Sequence, residues 1–240
     1  MPSPSDPATD ISLGRHLEWV RQRLARLAPD YRFKWDVYFD RLDELAAGVS
    51  RFLDAGCGGN QTAHELTGPR LRLGVDLTPD ARRGTYVCAR LEALPFRTGA
   101  FDLIGCRHVS EHLEDPAGVI DEWRRVLAPG GRILIQTVNK QSLMLRLARL
   151  IRGRLRHRIL ASRYGRRPED HFKTFDRFNI PILYQHPPDG FRLVGLTMVQ
   201  DVDLQSKFGF WLTYLLVILT RRRPERRSVI TAEWQRLPRV

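Results

Sequence analysis

Apolar residues in the first part of the chain recur at helical spacing. One helical face collects the residues Leu13, Leu17, Val20, Leu24 and Leu27. Pro29 ends this pattern, and a second helical pattern covers residues 33–47 until Gly48 stops it. The pattern therefore predicts an N-terminal unit of helices over residues 11–48. We expect the polar, proline-rich residues 1–10 to form a disordered lead-in.

Short apolar runs alternate with helical patterns from residue 51 onwards. The predicted strands are 51–55, 70–76, 85–89, 101–106, 132–138, 191–201 and 214–220. Helices are predicted at 61–66 and 116–127. This alternation is typical of a parallel sheet with helices on both faces, so it predicts an α/β domain over residues 49–222. The alternation is lost in an insertion at 140–190, and a basic tail is predicted at 223–240.

A glycine-rich turn follows the first predicted strand, and an aspartate ends the second. The stretch Leu53–Asn60 reads LDAGCGGN, in which Gly56 and Gly58 let the backbone turn tightly and approach a ligand closely. The carboxylate of Asp76 can accept hydrogen bonds from ribose hydroxyls. This spacing predicts a site for a nucleoside-bearing cofactor. A nicotinamide-binding turn would have a third glycine where this chain has Gln61.

The charge of the chain narrows the choice of partners. The chain has 240 residues, 42% of them hydrophobic, which is enough for one substantial core. Its formal net charge is +12, and nearly all of the positive charge is arginine. Such a surface favours nucleic acid, an anionic membrane face or a phosphorylated substrate. The alternative is a set of arginine side chains that are simply solvated.

The lengths of the apolar runs and the pattern of cysteines indicate the cellular compartment. No apolar run reaches 18 residues, so no membrane-spanning helix is predicted. The N-terminus is polar and does not resemble a signal peptide. The cysteines form no C-x-x-C pair and no zinc pattern, so we predict free, buried thiols and no metal site: Cys57, Cys88 and Cys106. A cytoplasmic protein is expected, with peripheral contact at the inner membrane face as a further expectation.

Two longer blocks make the resemblance to a known family specific. Residues 91–116 read LEALPFRTGAFDLIGCRHVSEHLEDP, and residues 124–139 read RRVLAPGGRILIQTVN. With the glycine turn, they resemble the class I S-adenosylmethionine-dependent methyltransferases of the small-molecule type called methyltransferase type 11. The resemblance covers residues 50–139 closely and extends more loosely to residue 220, and it makes S-adenosylmethionine the expected cofactor. It implies a Rossmann-like, seven-stranded sheet of order 3-2-1-4-5-7-6 with strand 7 antiparallel, which we assign to the apolar run 208–220.

The resemblance also implies which residues contact the cofactor. The motif residues at the methionine end are Asp54, Ala55, Gly56 and Gly58, those at the ribose and adenine are Asp76, Leu77 and Leu91, and those facing the sulfonium are Cys106 and Arg107. Arg90 stands where the family usually has an aspartate that contacts the adenine amino group. Because arginine cannot accept a hydrogen bond, the backbone N–H of Leu91 is the remaining candidate there.

Methyl transfer to a hydroxyl needs a base, and three histidines are candidates. His108 and His112 follow the fourth predicted strand, and His171 lies in the insertion. The alternative for each is a structural histidine with satisfied hydrogen bonds. Glu111 and Glu114 are expected to be carboxylates near the start of a helix.

The insertion combines a basic amphipathic helix with aromatic residues. Three interpretations remain open for it: an interfacial helix on anionic lipid that admits a lipid-linked acceptor, a groove that faces RNA, and a lid packed on the sheet. The sequence thus predicts a methyltransferase for a small-molecule or lipid-linked acceptor, with transfer to oxygen. An RNA methyltransferase and a non-catalytic regulatory subunit are the alternatives, and the oligomeric state stays open.

Overall fold

A computed structural model of the chain describes residues 7–77, 84–150, 180–204 and 206–238. For residues 7–15 and 148–150 it describes the backbone only. The helices are α1 (Pro7–Leu27), α2 (Lys34–Ala46), α3 (Gln61–Glu65), α4 (Pro116–Val126), α5 (Leu143–Leu150), α6 (Pro181–Gln185) and α7 (Lys207–Leu219). Short 3-10 turns cover Ser110–His112 and Pro224–Arg226. The first helix begins at Pro7, inside the predicted disordered lead-in, so that boundary was wrong.

The strands among the described residues form one seven-stranded sheet. They are β1 (Arg51–Ala55), β2 (Leu71–Asp76), β3 (Thr85–Cys88), β4 (Phe101–Arg107), β5 (Leu127–Val138), β6 (Phe191–Val199) and β7 (Val229–Arg236). Their order is β3-β2-β1-β4-β5-β7-β6, and β7 runs antiparallel to both of its neighbours. The predicted Rossmann-like order is therefore confirmed. The chain order reverses between β1 and β4, which is where open parallel sheets bind ligands, beyond the carboxyl ends of the strands.

Alternating side chains along the central strands build two separate core layers. Successive residues of a strand point to opposite faces, so neighbours in sequence enter different layers. Phe52 and Leu103 are buried against α2 and α3, whereas Leu53 and Ile104 are buried on the face that carries α4 and α6. Both faces of the sheet are thus covered, as the continuous apolar runs predicted.

The last two elements differ from the prediction. The apolar run predicted as the final strand, 214–220, lies within α7 up to Leu219. The helix starts directly after Ser206, which is its N-cap. The Ser206 hydroxyl accepts a hydrogen bond from the N–H of Gly209 at 3.0 Å. The seventh strand is β7, inside the predicted basic tail at 223–240. The domain consequently continues beyond the predicted boundary at residue 222.

Buried charges explain why β7 was missed. Glu233 and Arg236 are each only 4% exposed, and charged residues are seldom buried unless they are paired. The carboxylate of Glu233 accepts hydrogen bonds from Arg41 at 2.7 Å and from Arg132 at 2.5 Å. Arg236 donates to the carbonyl of Leu127. These partners lie far away in sequence, so a local pattern of polar and apolar residues cannot reveal them.

Candidate functional site

The glycine turn after β1 is held against the end of β2. The N–H groups of Gly56 and Cys57 both donate to the carbonyl of Val75, at 2.8 and 3.0 Å. One residue further on, the N–H of Gly58 donates to Oδ2 of Asp76 at 2.8 Å. The predicted turn and the predicted carboxylate are therefore in direct contact at the edge of the sheet where chain order reverses. We call this arrangement, residues 55–58 with Asp76, the cradle.

Two glycines of the cradle are required for different reasons. Gly56 has φ +77°, and a Cβ atom there would lie 2.2 Å from Cγ2 of Val109, in the loop after β4. Gly58 has φ +51°, and a Cβ atom there would meet nothing within 4 Å. Gly56 thus serves both backbone conformation and close packing of two loops, whereas Gly58 serves conformation and leaves open space beside Asp76.

Gly56→Ala is expected to lower the free energy of unfolding by about 2–5 kcal/mol, because an unfavourable φ adds to overpacking. Gly58→Ala is the matched control and should cost only about 1–2 kcal/mol. Denaturant titration of both variants measures the difference. In a Val109→Ala background the cost of Gly56→Ala should fall towards that of Gly58→Ala. An undiminished cost in that background would show that the contact with Val109 is not its cause.

Asp54, one residue before the cradle, is a buried carboxyl. It is 4% exposed, and burial raises its pKa to about 7. The positive charge of Arg107 and hydrogen bonds from the Ala63 amide and the Thr62 hydroxyl oppose that rise without cancelling it. The carboxyl therefore changes its protonation state near neutral pH and is tied to the start of α3 rather than exposed to solvent.

Asp54→Asn should remove a pH dependence of stability. Because the folded pKa of Asp54 lies above its value in the unfolded chain, the folded state binds the proton more tightly. This contribution is fully present below about pH 4 and is lost as the pH rises through about 7. Relative to Asp54→Asn, the wild type should lose roughly 3 kcal/mol of unfolding free energy between pH 5 and pH 8.

The control for this pH experiment is Asp102→Asn. The hydrogen bonds from Arg51 hold the pKa of Asp102 below its usual range, so its contribution disappears only in more acidic solution. The difference between wild type and this control should stay constant from pH 5 to pH 8. A constant difference for Asp54→Asn as well would contradict the assignment of the raised pKa.

Two aromatic residues of α2 cover the ends of β1 and β4. Tyr38 is fully buried, and burial raises the pKa of its phenol well above its ordinary value. Its hydroxyl oxygen lies against β4, since a Cβ on Gly105 would be 2.8 Å from it. The guanidinium of Arg107 lies 5.0 Å from the ring centre of Phe39. Helix α2 therefore forms part of the candidate site, which sequence reasoning did not predict.

His108 occupies an unusual position directly after β4. Its φ is +57°, a conformation that costs energy for a residue with a side chain and is often found at functional sites. The N–H of His108 donates to the carbonyl of Gln136 at 2.7 Å, which fixes the backbone there. Its Nδ1 lies 3.3 Å from Oε1 of Glu111. The imidazole is thus held by a carboxylate, one residue away from the Val109 side chain that packs on Gly56.

Glu111 lies in the first turn of the short 3-10 helix, as predicted, and it also contacts His108 and Thr137. It is 4% exposed, and its Oε2 accepts a hydrogen bond from the hydroxyl of Thr137 at 2.7 Å. Burial alone would raise the pKa of Glu111, but the hydrogen bonds from His108 and Thr137 outweigh it and hold the pKa below its usual range. Glu111 is therefore an ionised, buried partner for His108. Their i, i+3 spacing was the available sequence signal.

The other predicted base candidates are placed differently. His112 is half-buried on the 3-10 turn, with its N–H donating to the carbonyl of Val109 at 2.8 Å. His171 lies outside the described residues, as do the aromatic residues predicted for the insertion. The structure thus brings His108 together with Glu111 beside the cradle.

The remaining predicted cofactor contacts divide into exposed and buried positions. Leu77 is 57% exposed directly after Asp76, where an apolar side chain is free to cover a flat ligand. The side chains of Leu91 and Cys106 are buried in the core, so these residues can contact a ligand only through their backbone atoms. Arg90 is paired with Glu92, with 3.4 Å between Nε and Oε2. These contacts remain predictions.

The three cysteines differ in burial. Cys57 is half-buried and Cys106 buried, but Cys88 is exposed, contrary to the prediction that all three thiols are buried. Burial raises the pKa of the Cys57 thiol to about 12. Within the described ranges, no three His, Cys, Asp or Glu side chains cluster as a metal site.

Comparison with known proteins finds a similar domain family for the central part of the chain. Residues 53–135 match the family described as a methyltransferase domain. The ubiquinone biosynthesis O-methyltransferase of Xylella fastidiosa (strain M23) is 32% identical over 118 residues, which cover 42% of this chain and 48% of that protein. The protein of the same name from Acinetobacter baylyi is 29% identical over 120 residues, covering 41% and 49%. The matched part thus spans about half the length of these curated relatives.

Solved structures show the same fold at low sequence identity. The S-adenosylmethionine dependent methyltransferase from Mesorhizobium loti has a TM-score of 0.52 and 17% identity, covering 86% of this chain and 99% of that one. The (4+2)-cyclase SpnF has a TM-score of 0.51 and 18% identity, covering 86% and 83%. Residues 53–135 are therefore similar to a methyltransferase domain, and the chain shares the fold of these solved structures. Because one neighbour is named a cyclase, the fold does not by itself fix the reaction.

Proposed function

We propose that this chain is an S-adenosylmethionine-dependent O-methyltransferase that acts on a hydroxyl group of a small-molecule or lipid-linked acceptor. The observation that carries the proposal is the cradle, in which the Gly58 N–H and the Asp76 carboxylate meet at 2.8 Å. It lies where chain order reverses in a sheet of the methyltransferase order. The matching methyltransferase domain, residues 53–135, contains both parts of the cradle.

The residues of the cradle fit the proposed cofactor. The turn at Gly56–Gly58 leaves room beside Asp76, because a side chain on Gly58 would meet nothing within 4 Å. The Asp76 carboxylate would accept hydrogen bonds from the ribose hydroxyls, and the exposed Leu77 would pack on the adenine. The N–H of Leu91 would contact the adenine edge, since Arg90 is paired with Glu92. When bound, the cofactor supplies a methyl group on a sulfonium centre.

His108 is proposed as the base that removes the acceptor proton. Its Nδ1 faces the ionised Glu111, so Nε2 is the nitrogen that takes up the proton. A carboxylate in this position orients the ring and stabilises the protonated imidazole. Glu111 is fixed in turn by Thr137, and the Tyr184 hydroxyl donates to Ser110 at 3.1 Å beside it. His112 and His171 remain alternative candidates for this role.

Arg107 and α2 are proposed to shape the acceptor side. Arg107 carries a positive charge between Phe39 and the buried Asp54, close to the end of β4. Tyr38 and Phe39 cover the same edge with aromatic surface, which excludes water and strengthens electrostatic interactions. An aromatic or otherwise flat acceptor with an ionisable hydroxyl suits such surroundings. The name of the curated relatives, ubiquinone biosynthesis O-methyltransferase, supports transfer to oxygen.

Two measurements test the proposal. Calorimetric titration with S-adenosylhomocysteine should show stoichiometric binding to the folded chain. Incubation of cell extract with cofactor that carries a labelled methyl group should then label one fraction among lipids, RNA and small molecules. Label in the lipid or small-molecule fraction, stable to conditions that cleave carboxyl methyl esters, supports the proposal. Label in RNA, or folded protein without cofactor binding, contradicts it.

A further inference from the structure

Helix α7 presents a broad apolar face to solvent. The side chains on this face are 46% to 80% exposed, and we refer to them as the α7 face: Phe208, Trp211, Leu212, Leu215, Ile218 and Leu219. Positions 208, 212, 215 and 219 follow helical spacing, so the residues form one continuous stripe. Soluble proteins rarely expose so many large apolar residues together unless the patch binds a partner or a membrane.

The opposite side of α7 is firmly anchored. Phe210 is fully buried, and its ring packs edge-on against Trp19 of α1, with 5.1 Å between the ring centres. The hydroxyl of Tyr214 donates to the carbonyl of Leu27 at 3.0 Å, and Thr213 accepts from the N–H of Asp203 at 2.8 Å. These contacts fix the rotation of the helix, so the stripe faces outward because the other side is already used.

The connection that carries α7 is longer than the sheet requires. β6 and β7 are antiparallel neighbours, which a two-residue turn can join. Residues 200–228 connect them instead and add α7 and a 3-10 turn to the fold. The connection begins after Val199, the last residue of β6, and Val199 pairs with Val229. Val229 also pairs with Val138, the last residue of β5, so the connection lies at the carboxyl edge of the parallel strands. The α7 face therefore lies at the same edge of the sheet as the cradle.

Positive charges flank the apolar stripe at both ends. Lys207 opens the helix, and exposed arginines follow its end at Arg221, Arg222 and Arg223. No acidic residue lies within α7 itself. An apolar stripe with basic ends matches the boundary between anionic lipid headgroups and acyl chains. The neighbouring α5, which contacts α7, adds the exposed Leu147.

The length of α7 determines how it can meet a bilayer. Thirteen residues extend about 20 Å, less than the roughly 30 Å of a hydrocarbon core. Among the described residues, no helix is long and apolar enough to cross a membrane. We propose that the α7 face is a membrane-docking surface, lying flat in the headgroup region of an anionic bilayer with Lys207 and Arg221–Arg223 on lipid phosphates. The candidate site then opens towards the lipid.

Sedimentation with vesicles tests the docking surface. The full chain should bind vesicles of phosphatidylglycerol and phosphatidylcholine in equal parts at least about tenfold more tightly than pure phosphatidylcholine. Leu212→Asp with Leu215→Asp should weaken that binding by about tenfold or more. The matched control, Ile182→Asp with Leu237→Asp, changes two exposed apolar residues elsewhere and introduces the same charge. It should bind within about twofold of the wild type.

Depth of insertion distinguishes docking from charge attraction alone. Brominated acyl chains should quench tryptophan fluorescence of the wild type, and Trp211→Phe should lose most of that quenching. Equal loss of vesicle binding in the control pair, or quenching unchanged in Trp211→Phe, would overturn the proposal. So would a wild-type dimer that Leu212→Asp with Leu215→Asp converts to monomer, because a second copy then covers the face. Titration with S-adenosylhomocysteine reports separately on the proposed function and should not change in these variants.

Discussion

Replacing Asp76 with alanine is expected to weaken the binding of S-adenosylhomocysteine by about 100-fold or more. A carboxylate that accepts hydrogen bonds from two ribose hydroxyls contributes about 1.5–3 kcal/mol for each of them. The same carboxylate also receives the Gly58 N–H at 2.8 Å, so its removal loosens the cradle as well as the sugar contact. Isothermal titration calorimetry on the purified chain measures both the affinity and the stoichiometry.

Two variants separate the sugar contact from general damage. Asp76→Asn retains one acceptor oxygen and should show a smaller loss of affinity than Asp76→Ala. Asp121→Ala removes a carboxylate on α4 that pairs with Arg124 at the surface, and it should leave affinity unchanged. If Asp76→Ala remains folded and binds as tightly as the wild type, the cradle does not hold the cofactor.

His108→Ala should reduce kcat by about 10²–10⁴-fold with the acceptor found by methyl labelling, which is the usual contribution of a general base. Binding of S-adenosylhomocysteine should be unchanged, because His108 belongs to the acceptor side of the proposed site. His112→Ala is the matched control on the same loop. A larger loss of kcat in His112→Ala than in His108→Ala would show that His108 is not the base.

Glu111→Gln tests whether the buried carboxylate acts through His108. Glutamine keeps a similar shape and an acceptor for Thr137 but removes the negative charge next to Nδ1. The protonated imidazole loses its stabilising partner, so kcat should fall. In a His108→Ala background the same change should cost little further activity, whereas a purely structural role for Glu111 would lower activity there too.

Most of the sheet was predictable because its strands are buried on both faces. The apolar runs at 51–55 and 101–106 coincide with β1 and β4, since strands in the middle of a covered parallel sheet are mostly apolar. The connection at 200–228 was predicted incorrectly for the opposite reason. α7 has apolar side chains on both its buried and its exposed side, so no polar stripe marks its helical period, and β7 contains two charged residues that are buried.

The candidate site was predictable where the backbone makes the contact. Gly56, Gly58 and Asp76 are residue types whose geometry is local, and the structure brings them together as expected. Tyr38 and Glu111 were not identified, because their roles depend on neighbours from other elements. The local sequence around Glu111 would be the same whether its side chain were exposed near a helix start or buried against His108.

The sequence alone determined the class of fold, the order of most elements and the position of the glycine turn, because periodic burial and glycine conformation act over a few residues. The tertiary structure decided which charges are buried, that His108 has a carboxylate partner and that α7 exposes an apolar face. These features arise from contacts between residues distant in the chain, such as Glu233 with Arg41 and Phe210 with Trp19. Their energies depend on burial and pairing, which exist only after the layers of the fold have come together.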